Sequence, residues 1–512
     1  MSMLGAQTQV LPLNRNYSLS VLEAATKSDT FVHTTCKPYL TVNLSGIDTT
    51  VIAGFFPNHI DKHHSWFRRK LKSENFILLQ KKDITLRIDP LFHFETGTET
   101  MTPDYRLFIN TRGIIVRGDL GKHLSFESRF YENQGFYPEY LQIYIQQRYV
   151  VPGQGRIRSF KKYGFDFSSS SGFVSYSPVS FLNIQFGHSK NFIGEGYRSL
   201  LLSDNTYNYP FAKVTLTKRR WQYMALWTGF INVLRQDNRE LVYQTKYGSF
   251  SFLNYMPAKW LQVGLFEGII WHTSDSTYNN RFNANYFVPV PMYRTLVFGL
   301  NNQNNAVLGL NVSSRIGKKV KLYGQWVVDD FSESPFIHDK SGYQVGGYIF
   351  SPFGLNGLTI QAENNKVNPF SYSFQQNTNQ NYSHFSQPLA HPMGANFNET
   401  VLMADYRLKD FFIHLRYSIA VQGIDTANTN YGSNIFNDNA PTVMNQSFPA
   451  GISNKLSYKT VVLGYIFNKT TNFQLFLGVE WRNEENEILP HYDALHIYGG
   501  IKTSLSNHYY DF

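Results

Sequence analysis

The stretch from Gln185 to Phe211 gathers most of the side chains in this chain that could do chemistry. It reads Q-F-G-H-S-K-N-F-I-G-E-G-Y-R-S-L-L-L-S-D-N-T-Y-N-Y-P-F. His188, Lys190, Asn191, Glu195, Arg198, Ser199, Asp204 and Asn205 put a base, a hydroxyl, cations, carboxylates and amides into one loop. Gly194 and Gly196 permit positive φ or close approach of another group. A Ser–His nucleophile needs its base within hydrogen-bond reach. Nothing in the spacing of His188 and Ser199 ties them together, and the chain has no G-x-S-x-G elbow. The expectation is a non-enzymatic protein. The charged groups then serve either as ligand contacts or as latches that hold the loop in place.

A second cluster is basic. Arg148, Arg156, Arg158, Lys161 and Lys162 alternate with Tyr149, Phe160 and Tyr163. Guanidinium forks clamp carboxylates and phosphates, and aromatic rings stack on the apolar faces of sugars. An anionic glycan or lipopolysaccharide fits this chemistry. Equally, these cations could pair with Asp166, Glu195 and Asp204 to hold a plug together. Metal chemistry has little to work with. His59 and His63 are one helical turn apart beside His64, but no further ligand completes a site. Glu484, Glu485 and Glu487 lack the alternating ligands and glycine of a calcium loop. A single cysteine, Cys36, excludes an internal disulfide and a thiolate cluster. No cofactor and no metal are expected.

The elements that would position these groups follow from composition and period. Aromatic residues make up 16% of 512, and charged residues also only 16%, against about 25% in soluble domains. Mean hydropathy is -0.32, and no uninterrupted apolar stretch reaches the roughly 18 residues of a membrane helix. Many aromatics with few charges suit a transmembrane β-barrel, where every second residue faces lipid and aromatic girdles mark the interfaces. The net charge of +10 comes without any nucleic-acid-binding motif. It fits a polar lumen, lipid head groups or an acidic glycan, and no nucleic-acid partner is expected.

From Ile84 onward the apolar period is two. Phe411, Ile413, Leu415, Tyr417 and Ile419 fall on one face, with Phe412, His414, Arg416 and Ser418 on the other. Phe473 to Trp481 and Val320 to Val328 repeat the pattern. Nineteen candidate strands result, and bacterial single-chain barrels have even numbers. Short turns near Gly121, Pro178, Arg219, Pro257, Gly317, Gly354, Lys409 and Asn468 alternate with long loops. Thr295 to Leu300 alone breaks that alternation. Without it, the chain is an all-β antiparallel barrel of about 18 strands over residues 84–512. Residues 1–7 look like the end of a signal peptide. Residues 8–83 read as a periplasmic segment with short helices at Tyr17 to Ala25 and at Asp61 to Leu71, packed against the barrel base. Long loops would be extracellular and both termini periplasmic. Leu200 to Leu202 would help occlude the lumen, Gln375 to Asn381 would be a flexible loop tip, and Phe512 would serve as the terminal aromatic.

The run K-N-F-I-G-E-G-Y-R-S-L-L-L-S-D-N, Lys190 to Asn205, resembles the signature of a Bacteroidota outer-membrane family. That family is the Wzi-like capsule-assembly family, with the RemB group of gliding-motility proteins inside it. Val150 to Pro178 and Lys62 to Leu71 match it in the same order, and the resemblance runs from about Val32 to the end. It implies a surface barrel that binds or organises polysaccharide, or supports adhesion and gliding. The residues expected to carry this are Arg156, Arg158 and Lys161 in one outer loop. His188, Lys190, Asn191, Glu195, Arg198 and Asp204 in the next complete the set. Partners would be outer-membrane lipid and lipopolysaccharide, anionic surface polysaccharide, and other outer-membrane proteins. Two rivals stay open: a subunit of a secretion or motility complex, and a porin or export channel.

Overall fold

The computed structural model describes residues 9–44, 46–48, 51, 64–236, 240–272, 284–298, 304–330, 340–374, 378–426, 429–437, 448–488, 490–504 and 506–512. The signal-peptide end and the residues His59, Asp61 and His63 lie outside them.

Eighteen strands close into one antiparallel barrel. The first six are β1 (Ile84–Glu99), β2 (Leu107–Leu120), β3 (Leu124–Phe136), β4 (Gly164–Val179), β5 (Leu182–Ser189) and β6 (Tyr209–Lys218). The next six are β7 (Trp221–Gln236), β8 (Glu240–Ala258), β9 (Leu261–Trp271), β10 (Asn305–Ile316), β11 (Val320–Asp330) and β12 (Lys340–Phe350). The last six are β13 (Leu358–Val367), β14 (Phe397–Leu408), β15 (Phe411–Ile424), β16 (Ile452–Asn468), β17 (Phe473–Glu485) and β18 (Tyr492–Lys502). β18 closes the wall on β1 over His496↔Glu99 to Lys502↔His93. The lower part of that same edge of β1 is covered by the short strand Ile77–Lys81.

Alternation sets which way each strand faces. On β15, Phe411, Leu415 and Ile419 point outward and are exposed, while Phe412 and Ser418 are buried inside. The short turns use residues held at positive φ, among them Gly121, Arg219, Gly317, Lys409 and Asn472. They all lie at one end of the barrel, and the longer connections at the other. Thr295–Leu300 is not a wall strand: its described part belongs to the helix Tyr293–Phe298.

β4 starts at Gly164 rather than near Gly172, and β3 runs to Phe136. The serine run Ser168–Ser171 has no apolar face, which hides the two-residue period there.

Much of the lumen is occupied by the described residues. Helix α1 (Arg15–Lys27), capped by Asn14, buries Leu19 and Leu22 against Tyr323, Tyr348 and Phe350. Gln9 reaches Asp119, and His33 the carbonyl of Arg219. Residues 9–44 thus enter the short-turn mouth. Apolar inward residues of β6 to β9, such as Phe230, Phe250, Phe252 and Phe266, close on Leu200, Leu201 and Leu202, which are 0% exposed. Asn379, Gln380 and Asn381 are not a flexible tip. They fold inward, where Asn381 accepts from the Lys246 ammonium at 2.7 Å and Asn379 from Asn232 at 3.1 Å. Their amides satisfy polar groups that the inward wall would otherwise bury unpaired.

The C-terminal tail also differs from expectation. β18 ends at Lys502 at the short-turn end, but residues 503–504 and 506–512 turn back up the lumen. Phe512 lies against Tyr144, and its carbonyl accepts from Arg482 near the top of β17. It is therefore not the terminal aromatic of a wall strand. The tail is captured inside by charge, as described below.

One long connection goes the other way. Residues 284–298 drape over the outward face of β7 to β10. Glu267 shares that face with exposed Leu265 and Trp326, yet it is buried. Arg294 meets its carboxylate at 3.0 Å, and Thr295 donates to it from backbone and hydroxyl, each at 2.8 Å. Ser249 caps the carbonyl of Tyr286 at 2.8 Å, and Trp271 stacks on the Tyr286 ring. This collar hides a polar patch on the wall and turns Leu296, 82% exposed, outward in its place.

Candidate functional site

The nine residues singled out from the sequence separate into two groups. Arg156, Arg158 and Lys161 are exposed at the long-loop end. They follow helix α3 (Glu139–Arg148), which Tyr149 ends in a left-handed conformation at φ 60. Arg156 donates to the Tyr243 hydroxyl at 2.8 Å and lies over that ring. Arg158 opposes Asp166 where the short strand Arg158–Phe160 pairs with β4. Lys161, at φ 54, forms the turn and sits 5.3 Å from the Phe160 centroid, with Lys162 4.8 Å from that of Tyr163. Cations thus alternate with rings on one exposed hairpin. Glu195 and Asp204 do not pair with them, because both carboxylates are occupied by other partners inside the barrel.

Lys190, Asn191, Glu195, Arg198 and Asp204 are buried within the barrel, and His188 is half-buried at its loop edge. Glu195 pairs with Lys321 of β11 at 3.2 Å and accepts from Thr34 and Thr35 at 2.8 and 3.0 Å. Burial pushes the Glu195 carboxyl up, but the ammonium groups of Lys321 and Lys37 outweigh it and hold the group below its usual range. Arg198 pairs with Glu399 of β14 at 3.0 Å and with Asp511 of the tail at 3.2 Å. Arg416 of β15 meets the same Asp511 at 3.1 Å, and the Tyr197 hydroxyl donates to it at 3.0 Å. Glu363 of β13 accepts the backbone N–H groups of Tyr197 and Arg198 at 2.8 and 3.1 Å. Gly194, at φ 147, and Gly196, whose missing side chain leaves room for Glu363, let the loop lie this close to the wall.

Asp204 accepts from Tyr509 at 2.8 Å and Asn507 at 3.1 Å, so it binds the tail a second time. Asn191 accepts from Lys213 at 2.9 Å. Lys190 donates to the carbonyls of Gly153 and Asp204 at 2.8 and 3.0 Å, which ties the basic loop to this one. His188 faces the Ser170 carbonyl, whereas Ser199 donates to the Ile193 carbonyl at 2.5 Å. They do not meet, and the hydrolase reading has no geometry. Among the described residues no group of three or more His, Cys, Asp or Glu could hold a metal ion.

Sequence reasoning missed the far side of this latch: Lys321, Glu363, Glu399, Arg416 and Asp511. The four wall residues are charged positions on inward faces, a signal visible in the strand period. Which loop each would meet depends on barrel closure and could not be read locally.

Burial lowers the Lys190 ammonium to about 8. The unfolded chain holds that proton more tightly, so latch stability rises as pH climbs from about 8 toward the unfolded value near 10.4. Limited proteolysis of loop 190–208 should therefore slow between those pH values. Lys190→Met should reduce that dependence, and Lys37, which burial lowers to about 8 as well, should carry part of the rest.

No protein-family model matches this chain, and no curated protein does. Its structure is similar to that of Wzi from Escherichia coli, an outer-membrane protein involved in group 1 capsule assembly and described as a carbohydrate-binding β-barrel. Identity is 13% and the TM-score 0.58, over 98% of this chain and 100% of that one. Looser likenesses are OccAB2 of Acinetobacter baumannii, at 10% identity, TM-score 0.43 and coverage of 82% and 98%. OccK2 of Pseudomonas aeruginosa, solved with glucuronate, stands at 10%, 0.43, 84% and 100%. At such identities what is shared is the fold. The chain is an eighteen-strand outer-membrane type of β-barrel, structurally similar to Wzi.

Proposed function

We propose that this chain is a sealed, non-enzymatic outer-membrane barrel that holds an anionic surface polysaccharide at its long-loop end. The observation that carries the reading is the exposed hairpin with Arg156, Arg158 and Lys161 between aromatic rings, seated above a lumen crossed by buried ion pairs. The cations are exposed and can meet carboxylates or phosphates on a glycan, and the similarity to a carbohydrate-binding barrel supports the same ligand class. In this reading the long loops are extracellular, the short turns periplasmic, and the cellular role is capsule or exopolysaccharide attachment, or adhesion and gliding. Purified protein should bind acidic polysaccharide in a salt-sensitive manner. Reversing the charges with Arg156→Glu and Arg158→Glu should weaken binding by at least about tenfold at low salt, since exposed charge pairs and steering act through the screened field. Equal binding by the variant would contradict the reading.

A second reading, a gated channel or export passage, is favoured by one observation. A cavity of about 370 Å³ runs beside the tail, lined by polar groups such as Glu95, Asn133, Glu480, His496 and Lys502. That volume lies within the usual range for ligand-sized cavities. It predicts conductance in a planar bilayer, which the sealed-barrel reading does not.

A further inference from the structure

The short-turn end carries an element that neither the wall nor the latch uses. Helix α2 (Trp66–Lys72) reads W-F-R-R-K-L-K and buries none of its residues. It is fixed from above. Asn468 of β16 donates to the carbonyls of Lys70 and Glu74, each at 2.9 Å, and Thr470 donates to that of Ser73 at 2.9 Å. Glu74 engages Arg69 and Lys70 at 3.5 and 3.0 Å. Arg68 and Lys72 point away from it and are exposed. Trp66 and Phe67 are 56% and 69% exposed, and Trp66 sits edge-on to Phe76, itself exposed. The following strand Ile77–Lys81 pairs with β1 so that Ile77 and Leu79 share the outward face with Ile84.

This apolar and basic surface continues an aromatic belt on the wall. Phe411, Tyr465, Phe467 and Phe473 contact one another on the outward face beside the short turns. Lys72 lies 5.3 and 5.8 Å from the Tyr465 and Phe467 centroids and 3.3 Å from the Tyr465 hydroxyl. Aromatic belts mark the level where acyl chains meet head groups. A short amphipathic element with Trp and Phe on one side and Arg and Lys on the other lies in that plane.

We propose that helix α2 with the strand Ile77–Lys81 is a lipid foot that binds anionic phospholipid. Trp66, Phe67 and Leu79 enter the acyl boundary, while Arg68 and Lys72 hold head-group phosphates. The foot covers the stretch of β1 that β18 leaves unpaired, so lipid binding there also guards the closure of the barrel.

The test uses the full chain with Phe67→Cys carrying an environment-sensitive fluorophore, Cys36 being the only native thiol. The protein is reconstituted into phosphatidylcholine vesicles with or without phosphatidylglycerol. Lipids bearing a quencher near the head group should quench the label, and quenching should grow about twofold or more when phosphatidylglycerol is present. Arg68→Gln with Lys72→Gln should abolish that increase while heat-modifiable gel mobility shows an intact barrel. A label with water-like emission and no quenching in either lipid would overturn the proposal. So would a label shielded by a protein neighbour, seen as crosslinking to a second polypeptide without lipid quenching.

Discussion

Arg198→Ala is expected to destabilise the folded barrel by about 3–5 kcal/mol, the usual cost of leaving buried charges without their partner. Two carboxylates lose their clamp at once, Glu399 on the wall and Asp511 on the tail. Asp511 retains Arg416 and Tyr197, and Glu399 retains His391 at 2.7 Å, so the wall should still close. The tail should then leave the lumen part of the time. Denaturant-dependent gel mobility reads the stability loss, and carboxypeptidase digestion of residues 503–512 reads the release. Arg198→Lys should recover only part, because an ammonium on its own stem lacks the planar fork that reaches Glu399 and Asp511 together. Wild-type stability in the alanine variant would mean the ion pairs do not hold the lumen closed.

Arg294→Ala should cost a similar amount, about 3–5 kcal/mol, for a different reason. Glu267 faces outward from the wall, and only the collar separates its carboxylate from lipid. Without Arg294 the carboxylate keeps two bonds from Thr295 but no countercharge. The collar should lift, exposing Ser249 and Ser251, and protease should cut within residues 284–298. The double variant Arg294→Leu with Glu267→Leu should regain most of the loss, since apolar pairs replace buried ion pairs at little cost. A single variant with unchanged stability and protection would show that the pair does not fasten the collar.

The wall was legible in the sequence because its signal is local. Phe411 to Ile419 announces a strand and its two faces through period alone, and Gly317 marks a turn by tolerating the positive φ it adopts. The alternation of short and long connections even identified Thr295 as outside the wall. The interior was less legible because lumen residues obey no such period. Glu195 and Arg198 could be picked out as a charged cluster, but not their partners Lys321, Glu399 and Asp511, which lie more than a hundred residues away. The Asn379 to Asn381 stretch has a loop-like composition, yet its amides are what buried Lys246 and Asn232 need. Phe512 has the right identity for a terminal aromatic, but the chain bends at Ser504 and carries it inside.

The exposed cations and the buried latch make one account: a closed barrel whose outer hairpin meets an acidic glycan. The measurement that tests this most directly is cell-associated polysaccharide on washed cells of a deletion strain, complemented with the wild-type gene or with Arg156→Glu, Arg158→Glu and Lys161→Glu together. The account predicts that wild type restores the glycan coat and the triple variant, at equal outer-membrane abundance, sheds it. A coat retained by the triple variant, or by the deletion strain itself, would contradict it.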